Sequence, residues 1–199
     1  MKIYGDKQSG NCYKVQLLCS LLGLRYEWSA VNIMAGGTSE ADFLHKNPSG
    51  KIPVLELDDG RCLSESNAIL NFLAAGSELL PVDGYALAKV QQWQFFEQYS
   101  HEPYIAVARF IATYLGLPDE RRKEYESKQV GGHKALSVME EQLRATPFLV
   151  GESPTTADIS LYGYTHMADE GGFDLGRYPA IRAWLGRIAE SPGYVSMGT

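Results

Sequence analysis

The chain is short of cysteine: three in 199 residues, Cys12, Cys19 and Cys62, an odd number with no C-x-x-C pair. That argues against a disulfide framework and for a reducing compartment. Basic charge is also scarce, with 18 Lys and Arg against 24 Asp and Glu, a net charge of −6 and a pI of about 5.2. Nucleic-acid modules carry a basic patch and a high pI, and the densest basic run here, Arg121-Arg122-Lys123, reads as a solvated helix face. No apolar run approaches the roughly 20 residues that cross a bilayer, and the opening Met1-Lys2-Ile3-Tyr4-Gly5-Asp6 lacks the apolar region of a signal peptide. These absences point to a cytoplasmic protein with no nucleic-acid or membrane partner. What is present is apolar content of 45%, ample for a buried core.

The pattern along the chain changes character once. Ile3-Tyr4 reads as a first strand, and Asn11 can cap a helix running to Gly23, with Val15, Leu18, Cys19 and Leu22 on one face. Tyr26 to Ala30 alternates as a strand, Glu40 to Lys46 is a short helix stopped before Pro48, and Val54–Leu57 and Arg61–Leu63 flank Asp58-Asp59-Gly60, a hairpin signal. Ser66 to Ala75 is a further helix. The order βαβα then ββα predicts a thioredoxin-like α/β domain with a mixed four-stranded sheet over residues 1–76. Residues 77–85, with Pro81, Asp83 and Gly84, read as a linker. Residues 86–199 show only helical patterns, over Leu87–Tyr114, Glu120–Ala145, Ala157–Asp169 and Ala180–Glu190, an all-helical second domain. Pro103 should bend the first of these. Thr155-Thr156-Ala157-Asp158 is a capping box.

The stretch Asn47–Leu73, NPSGKIPVLELDDGRCLSESNAILNFL, carries the ligand chemistry. A proline directly before a strand cannot donate to the ladder, and X-Pro bonds alone adopt cis cheaply. A cis bond at Ile52-Pro53 would turn the N–H and C=O of Ile52 outward, where an extended peptide can pair with them. Ser64-Glu65-Ser66-Asn67 opens a helix whose N-terminal N–H groups and dipole suit an anion. A backbone rung followed by a carboxylate pocket beside an acidic side chain suits a short peptide bearing both an ammonium and a carboxylate.

"GKIPVLELDDG", "LSESNAILNFL", "SPTTADISLYGY" and "RYPAIRAWLGRIAESPGY", in that order over nearly the whole chain, resemble the cytosolic glutathione S-transferase family, in its bacterial, serine-using, theta/delta-like pattern. The resemblance implies glutathione as co-substrate, no metal, and conjugation of its thiolate to small, mainly apolar electrophiles. Ser9-Gly10-Asn11-Cys12 matches the family spacing of an activating serine three residues before a Cys. Ser9 then takes the thiolate, with Asn11 as a second donor; read without the family, Ser9 is a loop serine and Asn11 a helix cap. Cys12 and Tyr4 are rivals for the same task. The resemblance also assigns Lys51, Ile52, Pro53, Glu65 and Ser66 to glutathione: Ile52 to the cysteine backbone, Ser66 to the α-carboxylate, Glu65 to the α-ammonium and Lys51 to the glycine carboxylate. Tyr104 and Phe110 are candidates for an apolar wall of the second-substrate pocket. A homodimer is implied, with weak support from the bulky Trp93, Phe95, Phe96 and Tyr99 on one helix. Two alternatives use the same fold: a glutathione-dependent oxidoreductase or peroxidase working through Cys12, and a non-catalytic interaction module.

Overall fold

The computed structural model of the protein describes residues 1–198, and these form two compact units, Met1–Ser77 with the segment from Ser191, and Glu78–Glu190. In the first unit, strands β1 (Lys2–Gly5), β2 (Glu27–Ala30), β3 (Val54–Glu56) and β4 (Cys62–Ser64) make one sheet in the order β2-β1-β3-β4. β2 runs parallel to β1, while β3 and β4 are antiparallel neighbours, with Ile3 opposite Leu55 and Leu55 opposite Leu63. The sheet is therefore mixed, the thioredoxin-like layout expected from the element order. Helices α1 (Gly10–Leu21), α2 (Ala41–Lys46) and α3 (Ser66–Ala74) complete it.

Ile3, Val15, Cys19, Leu55 and Ile69 form the core of this unit, flanked by Tyr26, Trp28, Leu63 and Leu73. Helix α1 is buried on nearly every side from Gly10 to Cys19. Part of that cover comes from the end of the chain: the Tyr13 hydroxyl donates to the Val195 carbonyl at 2.8 Å, and Gly193, at φ +84, lies against Ser20 and Leu21, where a Cβ would stand 3.0 Å from the Ser20 oxygen. The expected second domain ran to residue 199, but the chain from Ser191 belongs with the first unit. Helical periodicity gave no sign of this, because the segment makes contacts, not a helix.

Asn11 does not cap α1. The helix begins one residue earlier, with Ser9 as cap at φ −82, ψ 123, its Oγ accepting the Cys12 N–H at 3.4 Å. Ser9 wins because its own N–H is tied to the Asp6 carbonyl at 3.0 Å, which turns the loop before Gly10. Gly23, at φ +63, ends the helix as expected, with its N–H on Ser20 and the Leu24 N–H on Cys19.

The second unit holds α4 (Gly84–Phe96), α5 (Glu102–Arg109), α6 (Arg122–Ala145), α7 (Thr156–Thr165) and α8 (Pro179–Ala189). Between α4 and α5 the chain passes through a π turn at Glu97–His101, and a second follows at Phe110–Tyr114. Pro103 enters just after the first π turn, at the start of α5, where a missing N–H is tolerated. The regular α-helix is thus interrupted by the π turn just before the proline. The capping box forms as expected, and its Asp158 does more than cap. Its Oδ1 accepts the Leu149 N–H and the Trp184 indole N–H, each at 2.9 Å, while Oδ2 accepts the Thr155 N–H at 2.8 Å and the Thr155 hydroxyl at 3.1 Å. Glu140, also buried, accepts the Ala180 and Ile181 N–H groups at the start of α8, a favourable place for a carboxylate.

Candidate glutathione site

The residues for which the sequence suggested a peptide rung and a carboxylate pocket lie in the first unit. Ile52-Pro53 is cis and leads directly into β3. The loop before it is fastened by Asn47, a buried side chain that no sequence signal singled out. Its Nδ2 donates to the Lys51 carbonyl at 2.7 Å, and its Oδ1 accepts the Ser49 N–H at 3.1 Å and the Ser49 hydroxyl at 2.9 Å. Gly50, at φ +63, supplies the turn between them. Lys51 itself is exposed and Ile52 half-buried.

Beyond the β3–β4 hairpin, Glu65 is the cap residue of α3 at φ +67, ψ 112. A non-glycine residue holds such a backbone at a cost on the order of 1–3 kcal/mol, and such residues cluster at ligand sites. Glu65 keeps its side chain exposed while Ser66, first in the helix, is buried. The carboxylate and the hydroxyl thus occupy different environments although they are adjacent in sequence.

Ser66 meets the α1 end of the unit directly. Its hydroxyl lies 3.1 Å from Asn11 Oδ1, and Lys14 Nζ lies 2.6 Å from the same oxygen and 3.4 Å from Ser66 Oγ. Asn11 and Ser66, two of the residues assigned from the sequence, are therefore hydrogen-bonded partners across 55 positions of chain. Ser9 stands half-buried two residues from Asn11 at the mouth of the helix. Its Oγ accepts from the Cys12 N–H, so the hydroxyl proton is the part of Ser9 with which it can donate.

Cys12 is 0% exposed, and burial pushes its thiol up to about 12, outweighing the hydrogen bonds from Ser9 and the Asp6 backbone and the nearby Lys14 charge. Its sulfur sits where a Cβ on Gly5 would come within 2.7 Å. A thiol in that state is inert, since the thiolate is the reactive form. Tyr4 points into a different cluster: its hydroxyl donates to Glu56 at 2.7 Å, Lys46 pairs with the same carboxylate at 2.8 Å, and burial with the Glu56 bond raises its pKa. Neither rival shares the Asn11–Ser66 contact.

Tyr104 and Phe110 belong to the second unit. Tyr104 packs on α6 over Gly131, where any Cβ would collide with its ring. Phe110 stacks on Tyr114 at 5.1 Å between ring centres. His101, the other polar residue of this stretch, is buried with Nε2 2.9 Å from Thr165 Oγ1. No group of three or more metal-ligating side chains is found among the described residues.

The glutathione S-transferase N-terminal domain family matches residues 8–75, and the glutathione S-transferase C-terminal domain family matches residues 93–192. A crystal structure of a glutathione S-transferase from Pseudomonas fluorescens is 63% identical, with a TM-score of 0.98 over 100% of this chain and 98% of that one. A second, from Xanthobacter autotrophicus, is 47% identical with a TM-score of 0.95, covering 99% of this chain and 96% of that one. A maleylacetoacetate isomerase from Methylobacterium extorquens, solved with bound malonate and GSH, is 26% identical with a TM-score of 0.82, covering 97% and 94%. With both domain families matched in order around a cis-proline loop and a Glu-Ser helix start, the chain belongs to the glutathione S-transferase family.

Proposed function

We propose that the protein conjugates the thiolate of glutathione to small, mainly apolar electrophiles. The observation that carries this reading is the Asn11–Ser66 hydrogen bond, which joins the helix start beside Ser9 to the helix start that would hold a carboxylate. Glutathione would lie extended along this unit. Its cysteine backbone pairs with Ile52 beside Pro53, its α-carboxylate meets the Ser66 hydroxyl and N–H, its α-ammonium meets Glu65, and its glycine carboxylate meets Lys51. Glutathione bound to the Methylobacterium extorquens relative is consistent with glutathione as co-substrate here.

The chemical problem is the thiol. A free thiol titrates near pH 8.5, so little is thiolate at pH 7. A hydroxyl donor and the positive end of a helix both favour the anion. Ser9 would combine both, since it is the cap of α1 and carries a hydroxyl at the helix mouth. Asn11 is the second donor of the same end. The thiolate then attacks an electrophilic carbon of the second substrate, and catalysis is pKa tuning plus positioning. The buried, high-pKa Cys12 speaks against the oxidoreductase reading. We further place the protein in the cytoplasm as a homodimer. No helix of the described residues is long and apolar enough to cross a membrane, and Phe95 and Tyr99 are 70% and 84% exposed on one stretch of the second unit, as an apolar contact surface would be.

The thiol titration of bound glutathione tests the mechanism. Followed by thiolate absorbance, it should move to higher pH in Ser9→Ala, with turnover falling far more than glutathione affinity. An unchanged titration would remove Ser9 from its role.

A further inference from the structure

Lys14 is the largest charged side chain that the first unit buries outright, at 0% exposure. Removing an ammonium from water is costly, and a chain keeps one there only where well-placed acceptors surround it. Helix α1 brings Lys14 onto the same face as Asn11, three positions earlier, and both face the first residue of α3. The three polar atoms close a triangle: Lys14 Nζ to Asn11 Oδ1 at 2.6 Å, Lys14 Nζ to Ser66 Oγ at 3.4 Å, and Ser66 Oγ to Asn11 Oδ1 at 3.1 Å.

The donor inventory fixes the roles. An ammonium only donates, so Lys14 gives one hydrogen bond to the Asn11 amide oxygen and a longer one to the Ser66 oxygen. With no carboxylate at the site the Ser66 O–H donates to Asn11 Oδ1; meeting the α-carboxylate it would turn to that anion, leaving Lys14 on Asn11 Oδ1. Two donors on Oδ1 set the amide orientation, with Oδ1 toward Lys14 and the Nδ2 group on the opposite side. The ammonium also stands 3.4 Å from the hydroxyl to which the proposed function assigns the α-carboxylate.

We propose that Lys14 is a positioning residue of the glutathione site: its ammonium holds Asn11 and Ser66 together and supplies the positive charge that selects a carboxylate over a neutral group at Ser66. This rests on the reading that the γ-glutamyl end of glutathione docks at Ser66. The charge is built into α1, not carried on an exposed loop, so its effect resists screening by salt.

The test uses the full chain and two ligands, glutathione and its analogue with the γ-glutamyl α-carboxylate converted to a carboxamide. Titration calorimetry of the wild type should show glutathione preferred by about tenfold or more, the scale of one charge-assisted hydrogen bond. Lys14→Met, similar in length and neutral, should bring the two ligands to within about twofold by weakening glutathione far more than the carboxamide. Lys14→Arg should restore the preference. A merely structural role would weaken both ligands alike, and that result overturns the proposal, as does Lys14→Met that keeps the full preference. A wild type that binds glutathione without preferring the carboxylate overturns it too, whether or not Lys14→Met folds. A wild type that binds neither ligand overturns this proposal together with the glutathione reading, which separates the two failures.

Discussion

Replacing Asp158 by alanine should destabilise the protein far more than most single substitutions. The carboxylate accepts four hydrogen bonds from buried donors: the Leu149 and Thr155 N–H groups, the Thr155 hydroxyl and the Trp184 indole. The hydroxyl can rotate to a new partner, but the three N–H groups cannot. Each orphaned buried donor costs about 1–3 kcal/mol, and three that share one acceptor do not add in full. Since single losses above about 4–5 kcal/mol are exceptional, the expected loss is about 4 kcal/mol. For a chain of this size each kcal/mol lowers the melting temperature by about 2–4 °C, so Asp158→Ala should melt roughly 8–16 °C below wild type. Asp158→Asn should fall between the two, because its amide keeps an oxygen for one pair of donors but sets an N–H against the other. Differential scanning calorimetry reads both. An Asp158→Ala protein melting within about 2 °C of wild type would refute the reasoning, because the carboxylate would then hold nothing the fold depends on.

Three further outcomes are expected. Native protein should show one thiol reactive toward a disulfide reagent, that of exposed Cys62, because Cys12 and Cys19 are buried with thiols pushed up to about 12. The sign for stability is then fixed: the native state keeps these two protons longer than the unfolded chain does, so their contribution is complete below an ordinary thiol pKa and is lost as pH rises through about 12. Three reactive thiols without denaturant, or a chain that grows more stable in that alkaline window, would contradict the burial. Light scattering at micromolar concentration should return a dimer, since obligate interfaces often bury more than about 2,000 Å²; a mass of only 22.0 kDa would count against the homodimer.

Much of the fold was legible because it is written in local signals. The Asp58-Asp59-Gly60 hairpin, Gly23 at the end of α1, the proline before β3 and the Thr155–Asp158 box each act within a few residues, and each appears where the sequence puts it. The parts that were not legible depend on contacts distant in sequence. Asn11 looked like a cap because its residue type fits, but the Ser9 N–H bond to Asp6 shifts the helix start and leaves Asn11 facing Ser66. Lys14 reads as a polar residue on an ordinary helix, and its burial against the first residue of α3 is a tertiary contact 52 positions away. Trp184 shows no sign of serving Asp158, which lies 26 residues earlier. A Lys, Asn or Gln inside an otherwise apolar helix that follows a glycine-ended loop is the signal that would have pointed to Lys14.

The central claim is that glutathione is held at the start of α3, and calorimetric titration of glutathione into wild type and the Glu65→Ala, Ser66→Ala double variant tests it most directly. The account predicts measurable binding by wild type and a loss of about 1.5–3 kcal/mol or more in the variant, the contribution of a charge-assisted hydrogen bond. Equal affinity in the two proteins, or a wild type that takes up no glutathione, would contradict it.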